Sequence, residues 1–204
     1  LTATVQEPAL DFASEPFLMN IDRDRSGMEE NKVDANIQVI GVDNGNSQHK
    51  TRHTCFTTGI ALVDGKPIVY DNILDYNGKC YRIGGDRIKV QDDKVCNENF
   101  YMLTLASIAR ELIARGEDAL RKNHIVLAVG LPIGRYSAEK KAFRNYLLKN
   151  HMVRFRYEKK EFVIFIEDVL VYPQCYGAIV DRLPEMSGQE IVVDIGSWTI
   201  DIMK

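Results

Sequence analysis

Residues 125–129 (Ile-Val-Leu-Ala-Val) form an uninterrupted apolar run, rich in β-branched side chains and stopped by Gly130-Leu131-Pro132. A strand with no polar side to offer water belongs inside a sheet. The residue before a proline is steered away from helix, so this strand ends abruptly there. From residue 37, short strand-type runs follow one another over 37–42, 55–63 and, after a turn at Asp64-Gly65, 67–70, which predicts an antiparallel meander. Asn77-Gly78, between 74–76 and 80–83, is a hairpin signal because both central positions of a type I′ turn want positive φ. Phe100, Leu103, Leu105, Ile108, Leu112 and Ile113 recur at helical spacing up to Gly116, a helix-ending glycine that follows a face built to pack on the sheet. Ser137 before Glu139-Lys140 predicts the cap of a second helix running to about Asn150, with Phe143, Tyr146 and Leu147 inward. A hairpin over 153–157 and 162–166, with 158–161 as its turn, leads into a helical stretch within 169–180. Residues 191–195 read as another buried strand, and 199–203 as its return. Strands and helices in this order give an α/β class.

Composition narrows the function classes. The chain has 204 residues, 45% hydrophobic and 27% charged, which is enough to bury a core and excludes disordered, fibrous or collagen-like chains. Its longest uncharged apolar run, 125–133, is far short of the roughly 20 residues of a membrane helix. The N-terminus lacks the basic, apolar, small-residue order of a signal peptide. A cytoplasmic protein with no membrane partner is the expectation. Cys55, Cys80, Cys96 and Cys175 are scattered without metal spacing and read as reduced bystanders. The net charge of −3 is uneven, because residues 1–35 carry eight acidic and three basic side chains and the remainder nets +2. A near-neutral body without a basic stripe predicts no direct nucleic-acid binding. The acidic leader has no apolar period and reads as a weakly ordered arm. Met28, just after Ser26-Gly27, is a candidate native start.

Two places share one construction, an apolar strand ending in Asp, one spacer, then Gly: Val42-Asp43-Asn44-Gly45-Asn46 and Val193-Asp194-Ile195-Gly196-Ser197. Glycine at the tip of a tight turn lets backbone N–H groups approach phosphate oxygens. An Asp beside that turn can hold Mg²⁺ through water, since Mg²⁺ takes one or two carboxylates together with substrate phosphates. Two such hairpins facing each other would grip a nucleoside triphosphate from both sides. Either one alone is equally a polar β-turn, because Asp and Gly favour turns for backbone reasons. The second adds Thr199 and Asp201 on the returning strand. Glu167-Asp168 are neighbours whose side chains should point to opposite faces of a strand, which argues against a paired acid/base site. His49 and His53 stand four apart with no third ligand, so zinc is not expected. Trp198 reads equally as a packing residue or an exposed contact.

Asp43-x-Gly45, with Lys50 five residues past the glycine, and Asp194-x-Gly196-x-x-Thr199-x-Asp201 together resemble the two phosphate motifs of the actin-like ATPase superfamily. The nearest likeness is to bacterial actin-like proteins of the ParM/StbA plasmid-segregation type and their archaeal relatives. Gly130-Leu131-Pro132-Ile133-Gly134-Arg135-Tyr136 resembles their strand-end Gly-Leu-Pro segment, and 171–178 (Val-Tyr-Pro-Gln-Cys-Tyr-Gly-Ala) their connecting-helix entry. The likeness covers residues 37–204.

It implies an actin-like (ribonuclease H-like) fold, a mixed sheet flanked by helices, with nucleotide held between two halves. Asp43 and Asp194 would bind Mg²⁺ through water or orient the lytic water. Gly45, Asn46, Gly196, Ser197 and Thr199 would contact phosphates. Lys50 would give the β/γ-phosphates a point charge, and Gln174 would position the attacking water. The implied cofactors are ATP and Mg²⁺, and the implied partners are further copies of the protein in a filament and a DNA-binding adaptor. On this reading, residues 1–35 are the leader, 36–182 domain I, and 189–204 the opening hairpin of domain II. The rest of that domain, with its Gly-rich adenosine loop, does not follow. The chain then corresponds to a first half, expected to bind ATP weakly or not at all alone, with hydrolysis belonging to the full-length protein. Two alternatives stay open: a small-molecule kinase of the same superfold, and a non-enzymatic half-domain that associates through its last strand.

Overall fold

The computed structural model describes residues 37–91, 93–117, 122–174, 176–185, 191–197 and 200–203. The acidic leader, Cys175, Trp198 and Thr199 therefore lie outside the described residues. The described residues form eleven strands and three short or medium α-helices: β1 (Ile37–Asn44), β2 (Gln48–Lys50), β3 (Cys55–Thr57), β4 (Ile60–Leu62), β5 (Ile73–Tyr76), β6 (Lys79–Ile83), α1 (Asn99–Ala114), β7 (Lys122–Leu131), α2 (Ile133–Leu147), β8 (Met152–Tyr157), β9 (Lys160–Pro173), α3 (Tyr176–Ile179), β10 (Val192–Ile195) and β11 (Ile200–Met203). Nine strands form one mixed sheet in the order β3-β2-β1-β7-β9-β8-β5-β6-β4, and β10 with β11 forms a separate hairpin.

The apolar run at 125–129 is the middle of β7, which pairs parallel with β1 on one side and β9 on the other. It thus occupies the sheet interior that its composition demands. Only Thr58 and Gly59 separate β3 from β4, yet these strands stand at opposite ends of the strand order. Two residues reach only about 7 Å, so the sheet curls until its edges meet. What it curls around is α1, nearly every residue of which from Phe100 to Leu112 is buried. A helix apolar on most sides needs such an enclosure. Its buried hydroxyls are satisfied locally, Thr104 donating to the Phe100 carbonyl at 2.7 Å and Ser107 to that of Leu103 at 2.9 Å. α2 adds Tyr136, Phe143 and Leu147 to the same core, and the Tyr146 hydroxyl accepts the Tyr101 N–H at 2.7 Å, joining the helices.

Several expectations need correction. The run 55–63 is two strands rather than one, because Gly59 sits where a Cβ would meet the Asp86 carbonyl oxygen at 2.5 Å, which fixes the break. Residues 67–70 form no strand, and Ile68 is 98% exposed. α2 starts at Ile133, capped by Pro132, whose preset φ of −51° and free carbonyl, accepting from Arg135 and Tyr136, begin the helix four residues before Ser137. The second strand of the 153–166 hairpin does not end at Ile166. β9 continues for 14 residues to Pro173, so 169–173 is strand and the following helix has only four residues. The Asn77-Gly78 turn stands as read, with φ of 51° and 74°. No helix among the described residues is long and apolar enough to cross a membrane.

Candidate functional site

β1, β7 and β9 run parallel, and register fixes where they stop: Val42 faces Val129, Val129 faces Val171, and Leu131 faces Pro173. Their carboxyl ends therefore share one edge of the sheet, the side on which open α/β sheets bind ligands. Asp43, Gly130 and Gln174 all stand there. The Gln174 N–H donates to the Leu131 carbonyl at 2.7 Å. A Cβ on Gly130 would come within 3.0 Å of the Gln174 Cγ, so the glycine makes room for the glutamine.

The first hairpin is pinned from beneath. Asp43 pairs across the ladder with Lys50, and Asn44 with His49. The Lys50 ammonium lies 3.7 Å from the Asp43 carboxylate, both side chains about half exposed. Gly45 is obligatory, since a Cβ would meet the Gln48 carbonyl oxygen at 2.7 Å. Two successive carbonyls of the turn are held by side chains: Lys94 donates to that of Asn44 at 2.6 Å and the Thr58 hydroxyl to that of Gly45 at 2.7 Å. In a planar trans peptide C=O and N–H point opposite ways, so these bonds turn the Gly45 and Asn46 N–H groups away from Lys94 and Thr58. Asn44 and His49 are fully buried, and among the described residues the Asn44 Nδ2, Asn46 Oδ1 and His49 Nε2 atoms meet no hydrogen-bond partner. Burial drives the His49 imidazole down to about 3, with Lys94 adding to the effect, so it is neutral.

The second hairpin lies within electrostatic reach of the first. Burial raises the Asp43 carboxyl, and the charge of Asp194 raises it further, against Lys50 and Lys94. Lys94 is 5% exposed. Its burial lowers its ammonium to about 8, while Asp43, Glu139 and Asp201 favour its charge and Arg135 opposes it. Asp194 pairs with Asp201 across β10–β11, and β11 packs against α2. Gly196 and Ser197 follow at the tip, exposed. The structure thus brings Asp43, Gly45, Asn46 and Lys50 together on one turn and sets Asp194 within electrostatic reach of it. Thr199, expected to contact phosphate, lies outside the described residues.

Sequence reasoning missed Lys94, which sits in an irregular segment between β6 and α1 with no motif to mark it. It also passed over Glu111. That buried carboxylate accepts from the Thr51 hydroxyl at 2.6 Å, from Nδ1 of His53 at 2.8 Å, from the His53 N–H at 3.1 Å and from Arg115 at 2.8 Å. Burial alone would raise its pKa, but these donors win and hold it at about 2. His53 is thus tied to α1 through Glu111. Glu167 and Asp168 also take separate partners, Glu167 meeting His124 at 2.6 Å and His151 at 3.3 Å, and Asp168 meeting Arg144 at 2.6 Å.

Among the described residues no group of three or more His, Cys, Asp or Glu side chains is assembled to ligate a bare metal ion. The donor set of Asp43 and Asp194 fits Mg²⁺ held through water and phosphate oxygens.

The actin-like proteins N-terminal domain matches residues 41–177 of the chain. A sequence comparison with curated proteins finds no match. Among solved structures, the AlfA filament bound to AMPPNP superposes with a TM-score of 0.61 at 15% identity, over 81% of this chain and 64% of AlfA. Apo ParM of psk41 gives 0.62 at 17%, over 83% and 63%. Ta0583, an archaeal actin homolog, gives 0.64 at 19%, over 80% and 56%. The chain spans less than two thirds of the length of each. It belongs, by its matched domain, to the actin-like protein family, of which it carries the N-terminal domain.

Proposed function

We propose that the protein carrying this chain binds Mg-ATP between its two Asp-x-Gly hairpins, hydrolyses it, and assembles into filaments that serve plasmid or other DNA segregation in the cytoplasm, with a DNA-binding adaptor as partner. The observation that carries this reading is the gathering of Asp43, Gly45, Asn46 and Lys50 on one turn at the edge where three parallel strands end, with Asp194 within electrostatic reach of Asp43. The AMPPNP of the AlfA filament supports the choice of nucleotide. In this reading the outward N–H groups of Gly45 and Asn46, and at the other hairpin Gly196, Ser197 and Thr199, bind phosphate oxygens. Lys50 exchanges its pairing with Asp43 for the β/γ-phosphates. Gln174, steadied by the Leu131 carbonyl, orients the water, a task of positioning rather than strong base chemistry. Mg²⁺, when bound through Asp43 and Asp194, supplies charge neutralisation at the phosphates.

Light scattering of the full-length protein with ATP and Mg²⁺ tests assembly, and the absence of a nucleotide-dependent rise would sink the filament reading. Hydrolysis that survives both Asp194→Ala and Gln174→Ala would contradict the site. A second reading, association through the β10–β11 hairpin, has its own support in the exposed Ile191, Val193, Ile195 and Ile202. Sedimentation of this chain as monomer only counts against it.

A further inference from the structure

Lys94 belongs to the segment 84–98 that leads from β6 into α1, yet its ammonium ends beneath the first Asp-x-Gly turn. Its Nζ donates to the carbonyl of Asn44, the spacer residue of that turn, at 2.6 Å, and stands 5.4 Å from the centroid of the Phe100 ring at the start of α1. Asp43 on β1, Glu139 and Arg135 on α2, and Asp201 on β11 are the charges around it. Burying an ammonium is costly unless its partners repay the lost hydration; space-filling alone would be served better by an apolar side chain. The same turn holds the fully buried Asn44, whose Nδ2 meets no partner among the described residues.

We infer that Lys94 is a positioning residue of the nucleotide site: by fixing the Asn44 carbonyl it aims the Gly45 N–H at the phosphates and ties the turn to the entry of α1. This rests on the nucleotide reading above. Because one planar peptide carries both groups, releasing the carbonyl lets the N–H swing with it. Occupation of the phosphate turn is then felt at residues 93–100, away from the nucleotide.

Lys94→Met keeps the stem and removes both donor and charge. In calorimetric titration of the full-length protein with Mg-AMPPNP, its affinity is expected to fall by about tenfold or more, the scale of a hydrogen bond to a charged group. Adenosine affinity stays unchanged, and Lys94→Arg restores most of the AMPPNP binding. In hydrogen exchange, AMPPNP slows amides 93–100 of the wild type and leaves those of Lys94→Met unprotected. A Lys94→Met protein with wild-type AMPPNP affinity and wild-type protection overturns the inference alone. A wild-type protein that binds no nucleotide overturns the nucleotide reading and this inference with it. Should Lys94→Met fail to fold, Lys94→Arg and Lys94→Gln decide the matter, equal wild-type affinity in both counting against Lys94.

Discussion

The two Asp-x-Gly hairpins share a motif and differ in nearly everything around it. In the first, Asp43 faces Lys50, Asn44 and His49 are buried, and two side chains hold the turn carbonyls. In the second, Asp194 faces Asp201, and Val193, Ile195 and Ile202 are exposed. Opposite charges across a ladder stabilise it and like charges weaken it. The motif records a turn that the backbone requires, while rigidity and charge come from what packs behind it. In the proposed nucleotide site the first hairpin is therefore a fixed jaw, and the second a more loosely supported one.

The largest expected effect tests whether both jaws are needed. Asp194→Ala in the full-length protein should cut ATP hydrolysis by about 100-fold or more, the scale of losing one preorganised electrostatic group; phosphate release at the wild-type rate would mean that the first hairpin suffices. Next comes the anchorage of the fixed jaw. Glu111→Ala leaves Thr51, His53 and Arg115 without their acceptor and should cost about 3 kcal/mol in denaturant unfolding. The same carboxylate sets a pH window. Its folded pKa of about 2 lies below the ordinary 4.5, so its contribution is complete above about 4.5 and lost as pH falls towards 2. Glu111→Gln should flatten the acid limb of the stability curve, and an unchanged limb would refute the assignment. Gly45→Ala is smaller, about 1–3 kcal/mol from the Cβ contact with the Gln48 carbonyl, read as a drop in melting temperature. The smallest is Asp201→Asn. Removing one of two like charges across the ladder should change stability by no more than about 0.5 kcal/mol, because Asp201 also supports the charge of Lys94; a larger change in denaturant unfolding would refute this balance.

The buried central strand, the Asn77-Gly78 hairpin, α1 and both Asp-x-Gly turns were legible in the sequence, because each is dictated by local pattern: apolar continuity, positive φ, helical spacing, a strand end. What was not legible depends on distant contacts. The break at Thr58-Gly59 rests on the close approach of the distant Asp86 carbonyl and sends β3 and β4 to opposite sheet edges, and no local pattern records that closure. Pro132 displaced Ser137 as the start of α2 because a preset φ beginning the first turn outweighs a favourable cap placed later. Lys94 was invisible because a lysine in a charged loop looks solvated until the fold brings Asn44 over it. Glu111 sat on a helix whose other faces are apolar, and only the donors of residues 51–53 show why it is tolerated.

β9 carries one residue more than its neighbour. Ile125 faces Ile166 but Val126 faces Asp168, so Glu167 is an extra residue opposite β7. Even-numbered residues 162, 164 and 166 are buried before it, and odd-numbered 169 and 173 after it. The bulge is thus a parity switch. Drawing Glu167 into regular pairing with β7 would leave the strand's length and composition untouched, yet it would invert the inside-outside phase of everything downstream. Gln174, next after Pro173, would then be handed to the wrong side of the sheet.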